Sequence, residues 1–208
     1  MGQRIAIFGG SFDPVHHGHL LLAQDALTEL GLDLLVFVPA GVNPHKMQTA
    51  PQASGEARLE MLQLATREEA RFLVDPLELE RDGPSFTVDT VETFRRRWPE
   101  AELFLLLGED NLPKLHTWHR FESLQNLVTF VTFGRNTSDQ ANPATKLGPH
   151  LDRRVDISST EIRLRIAQGL PIRYLIPEPV RLLIYSHVLY QSSDQRKAGN
   201  PLWPSRPE

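Results

Sequence analysis

The sequence predicts an α/β protein built on a doubly wound parallel sheet, with a small helical part towards its C-terminal end. Two observations carry that expectation. Short apolar runs of strand length alternate with stretches of helical periodicity along most of the chain. Gly or Pro closes most of these segments. Alternation this regular places helices on both faces of a parallel sheet. Ile5-Ala6-Ile7-Phe8, stopped by Gly9-Gly10, reads as the first buried strand. Leu20, Ala23, Leu27 and Leu30 recur at helical spacing, and Gly31 ends that helix. Leu34–Val38, closed by Pro39-Ala40-Gly41, is the second strand, and Leu59, Leu62 and Ala65 after Ser54-Gly55 mark the second helix. Phe72-Leu73-Val74 is the third strand, followed by a helix carrying Val88, Val91, Phe94 and Trp98 that Pro99 stops.

Leu103–Leu107 and Leu127–Phe133 are the fourth and fifth strands. Arg135–Pro149, rich in Asn, Thr, Pro and Gly, reads as a surface loop, with a short strand near Val155 after it. Ser158 with Glu161 forms a capping box for a helix holding Ile162 and Ile166, closed by Gly169. Pro179, Val180, Leu183, Ile184 and Val188 give the last helix. Residues 1–191 are expected to form one domain, and the polar, Pro-rich residues 192–208 a disordered tail.

Composition narrows the function. The chain has 208 residues, 40% hydrophobic and 23% charged, which suits a globular core without staples. Lys+Arg 22 against Asp+Glu 26 gives a net charge of −4, so no global basic field marks a nucleic-acid partner. With Cys 0, thiolate nucleophiles, disulfides and thiolate metal sites are excluded. Runs such as Leu34–Val38 are far shorter than the ~18 residues a membrane helix needs. Met1–Ala6 lacks a signal-peptide core, and Ala6 breaks the myristoylation pattern, so a cytoplasmic location is expected.

Ligands of such sheets bind beyond the carboxyl ends of the strands, so a motif that follows a strand can share one crevice. The first is Gly9-Gly10-Ser11-Phe12-Asp13-Pro14-Val15-His16-His17-Gly18-His19-Leu20. Glycines past a strand bring backbone N–H groups close to an anion, and a helix opening near Gly18 adds its positive end. His16 and His19 would add side-chain donors, and Gly18 removes a side chain where a bulky ligand must pass. Zinc is the rival ligand for His16, His17 and His19, but no His-x-x-x-His pair occurs there. The loop also fails the Gly-x-Gly-x-x-Gly dinucleotide pattern.

Four further elements follow. Pro44-His45-Lys46 carries a lysine beyond the second strand. Asp82-Gly83-Pro84-Ser85-Phe86-Thr87 turns into a helix that Ser85 or Thr87 could cap. Gly108-Glu109-Asp110-Asn111 places a carboxylate suited to ribose hydroxyls after the fourth strand, with Gly108 leaving room for the sugar, and Trp118 offers a face for a flat ring. Ile157-Ser158-Ser159-Thr160-Glu161-Ile162-Arg163 combines a helix start with a guanidinium able to fork onto phosphate.

The first motif resembles the (His/Thr)-x-Gly-His signature of the nucleotidyltransferase superfamily. The whole stretch is similar to the opening of bacterial nicotinate-nucleotide adenylyltransferases, which usually carry Thr where this chain has Ser11. The similarity runs from about Arg4 to Tyr190. It implies a Rossmann-like fold and transfer of AMP from ATP to nicotinate mononucleotide, giving nicotinate adenine dinucleotide and pyrophosphate. The attack would be direct and in line, without a covalent enzyme intermediate.

By the same resemblance, Gly9, Gly10, Ser11, Phe12 and Gly18 contact ATP, with His16 and His19 at its α-phosphate. Lys46 and Arg163 serve the triphosphate and the leaving pyrophosphate, completing the expected catalytic group. Gly108 and Asp110 of the Gly-x-Asp-Asn element, and Ile157, Ser158 and Ser159 of the Ser-Ser-Thr element, complete the ATP site. Phe86, where Tyr is usual, holds nicotinate mononucleotide with Thr87 and Trp118. Glu109 stands where Ala is common, with no role implied. Mg²⁺ is expected with ATP, bridging phosphate oxygens, and no protein residues are expected as a metal site.

Other readings stay open at this point. Nicotinamide mononucleotide or phosphopantetheine could be the acceptor, although the phosphopantetheine enzymes have Thr where this chain has His16 and tend to be shorter. A histidine-based, metal-dependent hydrolase and a non-catalytic nucleotide sensor are the alternatives from other classes. The expected partners are small molecules, with neither nucleic acid nor membrane, and the oligomeric state is open, a homo-oligomer included.

Overall fold

A computed structural model describes residues 2–41, 51–134 and 147–192. Within them six strands form one sheet in the order β3-β2-β1-β4-β5-β6, every neighbouring pair parallel. The strands are β1 Arg4–Gly10, β2 Leu34–Pro39, β3 Phe72–Val74, β4 Glu102–Gly108, β5 Thr129–Phe133 and β6 Leu147–Leu151. The helices are α1 His17–Glu29, α2 Gly55–Thr66, α3 Thr87–Arg97, α4 Phe121–Leu127, α5 Ser159–Ala167 and α6 Glu178–Ser186. A 3₁₀ segment, Glu109–Thr117, follows β4 directly.

Strand alternation divides the core into two layers. Ala6, Phe8, Phe104 and Leu106 face α1, α2, α5 and α6, meeting Ala23, Leu27, Met61, Leu62, Ile162 and Ile184. Ile5, Ile7, Leu103, Leu105 and Leu107 face the other way, onto Val88, Val91 and Phe94 of α3 and Leu124 of α4. The expected doubly wound sheet is therefore present, and its C-terminal helices complete one of its two faces. Gly31, at φ +56, follows α1 in the left-handed conformation expected of a helix-ending glycine. Among the described residues no helix is long and apolar enough to cross a membrane.

Some sequence expectations need correction. The loop read over Arg135–Pro149 gives way to strand at Leu147, so Gly148 and Pro149 lie inside β6, while residues 135–146 lie outside the described set. A proline is tolerated there because β6 is an edge strand with a partner on one side only. The strand expected near Val155 is absent, since residues 152–158 are irregular. Leu127 closes α4 rather than opening β5, and the last helix ends at Ser186. Val188 (φ +54) and Tyr190 (φ +62) then turn the chain back. The tail, from residue 193 on, lies outside the described residues.

That turn back reaches the loop after β1. Asp13, 4% exposed, accepts hydrogen bonds from the Gln52 and Ala53 N–H groups at 2.8 and 3.0 Å and from the Tyr190 hydroxyl at 2.7 Å. Burial and the adjacent Asp13 carboxylate raise the Tyr190 phenol far above its usual value, which keeps it protonated as a donor. One buried carboxylate thus joins the first loop, the approach to α2 and the end of the domain. Tyr190→Phe is expected to lower stability by about 1.5–3 kcal/mol, the range for a hydrogen bond to a charged group. Urea unfolding measures this, and an unchanged midpoint would show that the bond contributes nothing.

Candidate active site

The loop from β1 into α1 lies at the carboxyl edge of the sheet, where β1 and β4 are neighbours and the strand order reverses. Its two glycines do different work. A Cβ on Gly9 would meet nothing within 4 Å, so the backbone there is open to a ligand. A Cβ on Gly10 would lie 2.9 Å from the Phe12 ring. Gly10 therefore also makes room for the Phe12 ring, while its backbone lines both cavities. Phe12 itself sits at φ +46 with its ring packed on Phe8 (5.6 Å), Phe37 (5.7 Å) and His19 (4.9 Å). With its ring in the core, Phe12 has mainly backbone to offer a nucleotide.

His16 is the N-cap of α1, and its ring stacks on His19 with centroids 3.7 Å apart. The His16 N–H donates to Nδ1 of His19 at 3.2 Å. Nδ1 of His19 is thereby an acceptor, so the neutral ring carries its proton on Nε2 and can donate there. Gly18 permits the stack, because a Cβ would lie 2.9 Å from His16 Nδ1 and 3.1 Å from Val155. Its place is thus explained by the imidazole beside it. Burial, then the nearby His17, pushes the His16 pKa down to about 4, and burial, then His16, pushes His19 well below its usual value. Both rings are neutral donors at pH 7, and His16 Nδ1 is buried without a hydrogen-bond partner.

The start of α5 faces this pair across the loop. The Ser158 hydroxyl accepts the Glu161 N–H at 3.1 Å, the forward half of the expected capping box, while Glu161 lies 3.9 Å from Arg165. The Ser159 hydroxyl donates to the Pro14 carbonyl at 2.8 Å, tying α5 to the first loop. Arg163 donates from Nη1 to the Asp13 carbonyl at 2.7 Å and from Nη2 to the Thr160 hydroxyl at 3.2 Å, and its Nε is buried. With Nε buried and one hydrogen bond made by each Nη, the fork onto phosphate is left to the remaining Nη hydrogens.

At the end of β4, a Cβ on Gly108 would lie 2.4 Å from Asp110 Oδ1. The missing side chain first makes room for that carboxylate, and only through it for a sugar. Asn111 Nδ2 donates to both the Gly108 carbonyl and Asp110 Oδ1 at 3.2 Å, fixing the turn.

Two cavities open here. The smaller, about 440 Å³, is lined by Phe86, Thr87, Lys114, Trp118 and His119 together with Glu78 and Ser85. Phe86 is the N-cap of α3, so neither Ser85 nor Thr87 takes the capping position. Its ring lies 4.3 Å from that of His119, and Trp118 lines the cavity while packing on the core. The larger, about 1140 Å³, is lined by His16, Gly18, His19, Ile157, Ser158, Ser159 and Arg163. Both cavities share Gly9, Gly10, Ser11, Gly108, Asp110 and Asn111, so they meet over the β1–β4 seam. His17 lines neither, and Lys46 lies outside the described residues.

Several contributors escaped the sequence reading. Glu78 accepts from the Thr90 hydroxyl at 2.8 Å and from the Gly41 N–H at 3.4 Å, holding the smaller cavity's wall to the end of β2. Arg58, 4% exposed, donates to the Ser11 carbonyl at 2.8 Å from beneath the first loop. A signal for it existed, since Arg58 falls on the face of α2 that carries Met61 and Leu62. No local pattern points to Tyr190, which meets Asp13 across 177 residues.

Comparison with known proteins agrees with this geometry. The cytidylyltransferase-like family matches residues 7–165. A protein of Thermus thermophilus named "Probable nicotinate-nucleotide adenylyltransferase" is 44% identical over 189 residues, covering 91% of this chain and 100% of that one. One of the same name from Exiguobacterium sibiricum is 43% identical over 189 residues, covering 90% and 99%. The solved structure of Plasmodium falciparum nicotinic acid mononucleotide adenylyltransferase complexed with NaAD superposes with a TM-score of 0.72 at 19% identity, covering 90% of this chain and 97% of that one, a likeness of fold.

The buried His16 has a pH signature. Its folded pKa of about 4 lies below the ordinary 6.5, so the unfolded chain binds more protons between those values. Its contribution is complete above pH 6.5 and is lost as pH falls towards 4. Between pH 7.5 and 5 this amounts to about 2 kcal/mol. Urea unfolding at both pH values should show His16→Asn losing less stability than the parent by about that amount; equal losses would contradict a buried neutral ring.

Proposed function

We propose that this chain, which belongs to the cytidylyltransferase-like family and within it to the nicotinate-nucleotide adenylyltransferases, transfers AMP from ATP to nicotinate mononucleotide. The products are nicotinate adenine dinucleotide and pyrophosphate. The observation that carries the reading is the junction of the two cavities. A donor-sized space beside paired imidazole donors opens into an acceptor-sized space with an aromatic wall, across the backbone of Gly9 and Gly108.

The 5′-phosphate of the mononucleotide attacks the α-phosphorus of ATP. A new P–O bond forms as the bond to the departing pyrophosphate breaks. The attacking oxygen is already ionised, so no protein base is required, and none of the described groups is asked to be a nucleophile. What the protein must supply is alignment of two anions and donors where charge grows. Nε2 of His19 is the donor we assign to the α-phosphate, with His16 stacked against it to hold the ring and offer a second imidazole. Neutral imidazoles suit this role because they donate without a proton having to be acquired first.

The N–H groups at the start of α5 and the outer Nη hydrogens of Arg163 are assigned to the triphosphate, together with Lys46 on its sequence position. Asp110 accepts from the ribose, and the backbone of Gly9, Gly10, Ser11 and Phe12 lines the phosphate path. Phe86, Thr87 and Trp118 hold the nicotinate end, the indole against the pyridine face.

Among the described residues no group of three or more His, Asp or Glu is arranged to hold a metal ion. Mg²⁺ would arrive on the triphosphate, keeping most of its waters. Bound there, the ion would supply positive charge to the phosphate oxygens of the leaving group. Substrates of this size and charge, with no thiol in the chain, suit a cytoplasmic enzyme.

Pyrophosphate release measured with ATP and nicotinate mononucleotide, nicotinamide mononucleotide or phosphopantetheine in turn tests the assignment. Release is expected with the first and far more slowly with the others. ATP binding without release in any of the three would leave a sensor instead. His19→Ala should lower kcat about 100- to 1000-fold, the scale for losing one transition-state donor, and a loss under about tenfold would remove His19 from the role.

A further inference from the structure

Glu109 is the residue for which neither the sequence nor the reaction supplies a task. It follows β4 immediately, lines the larger cavity, and its side chain is only 12% exposed. Its position is defined from two sides. Oε1 lies 3.9 Å from His150 Nδ1, which is itself 2.9 Å from the Thr132 hydroxyl. Oε2 rests over Gly134, where a Cβ would stand only 2.8 Å away, and Gly134 adopts φ +137, a conformation L side chains rarely take.

The layout of the cavity says which part of a nucleotide reaches this carboxylate. One end holds the phosphate donors, His16, His19 and Arg163. Asp110, suited to ribose hydroxyls, is the neighbour of Glu109 in the chain. A nucleoside triphosphate runs from phosphate through sugar to base, so beyond Asp110 its base meets the part of the lining that includes Glu109, Phe133 and Gly134. Gly134, lacking a side chain, leaves room for the Glu109 carboxylate and so seats it at the cavity wall.

We propose that Glu109 selects the base of the nucleoside triphosphate by accepting a hydrogen bond from the exocyclic 6-amino group of adenine. A carboxylate offers only acceptors, so a purine with a 6-oxo group sets oxygen against oxygen. A purine with hydrogen at that position leaves a half-buried carboxylate without the bond. Sites built to hydrogen-bond a substrate N–H discriminate strongly against analogues that lack it. The inference rests on the adenylyl-transfer reading above, because it takes the larger cavity as the nucleotide's.

The test is kcat/KM for dinucleotide formation from nicotinate mononucleotide with ATP, ITP and purine riboside triphosphate, in the parent and in Glu109→Gln and Glu109→Ala. The parent should prefer ATP over both analogues by roughly tenfold or more. Glu109→Gln, whose amide can donate to a 6-oxo group, should narrow the ATP/ITP ratio by about tenfold with ITP itself used faster. Glu109→Ala should erase the difference between ATP and purine riboside triphosphate. Equal use of ATP and the analogues by the parent overturns the proposal whether or not the variants fold. Unchanged ratios in folded variants overturn it too, because a merely structural Glu109 would lower all three rates together. Failure of the parent to form the dinucleotide from ATP would instead remove the adenylyl-transfer reading.

Discussion

The site depends on one buried carboxylate. Asp13 sits at the turn between the strand that ends in Gly9-Gly10 and the helix that begins at His17, and it has almost no contact with water. A carboxylate so placed must be met by donors. They come from the backbone of Gln52 and Ala53 and from the hydroxyl of Tyr190, while the Arg163 guanidinium stands 3.8 Å from Oδ2 and bonds the Asp13 carbonyl. Satisfying Asp13 therefore draws the segment before α2, the start of α5 and the last turn of the domain towards one loop. That loop bears the histidines.

The same economy governs charge. Two guanidiniums, Arg58 and Arg163, lie beneath the loop and are held by backbone carbonyls of Ser11 and Asp13. Arg58 turns its charge towards the backbone, while neutral imidazoles, the N–H groups of a helix start and the outer Nη hydrogens of Arg163 face the cavity. An anion entering the cavity meets donors that are already oriented, over a floor of fixed positive charge, so little has to reorganise as charge shifts between phosphates. Burial is what makes this consistent: it keeps His16 and His19 unprotonated, and His19 Nδ1, engaged by the His16 N–H, directs the proton to Nε2.

Much of this was legible in the sequence, and the limits have physical causes. Continuous apolar runs located β1, β2 and β4 to within a residue or two, because a strand buried on both faces is apolar throughout, and the short apolar run Phe72–Val74 located β3 although it lies at the sheet edge. The edge strand Leu147–Leu151 broke that rule. With one partner and a proline it lacks the apolar run, and the apolar Val155 drew the reading to the wrong segment. The histidine loop, Asp110, Trp118 and the α5 start were legible because they follow the elements that position them. Roles that arise across the fold were not. Gly10 and Gly18 line the larger cavity, but that their missing side chains also accommodate Phe12 and His16 could not be read from the sequence. Arg163 read as a free fork, yet its inner edge is spent on Asp13. Long-range partners such as Tyr190 leave no periodic trace, and a buried Arg58 is visible only as a cation on an apolar helix face.

The central claim is positional: the nucleotide's α-phosphate lies beside the His16–His19 stack, at the junction of the two cavities. The most direct measurement is a crystal structure with a non-hydrolysable ATP analogue and nicotinate mononucleotide bound together. The account predicts the α-phosphate within hydrogen-bond distance of His19 Nε2 and the 5′-phosphate of the mononucleotide in line with it over Gly9. Phosphate density away from the two imidazoles, or a pyridine ring outside the pocket of Phe86 and Trp118, would contradict it.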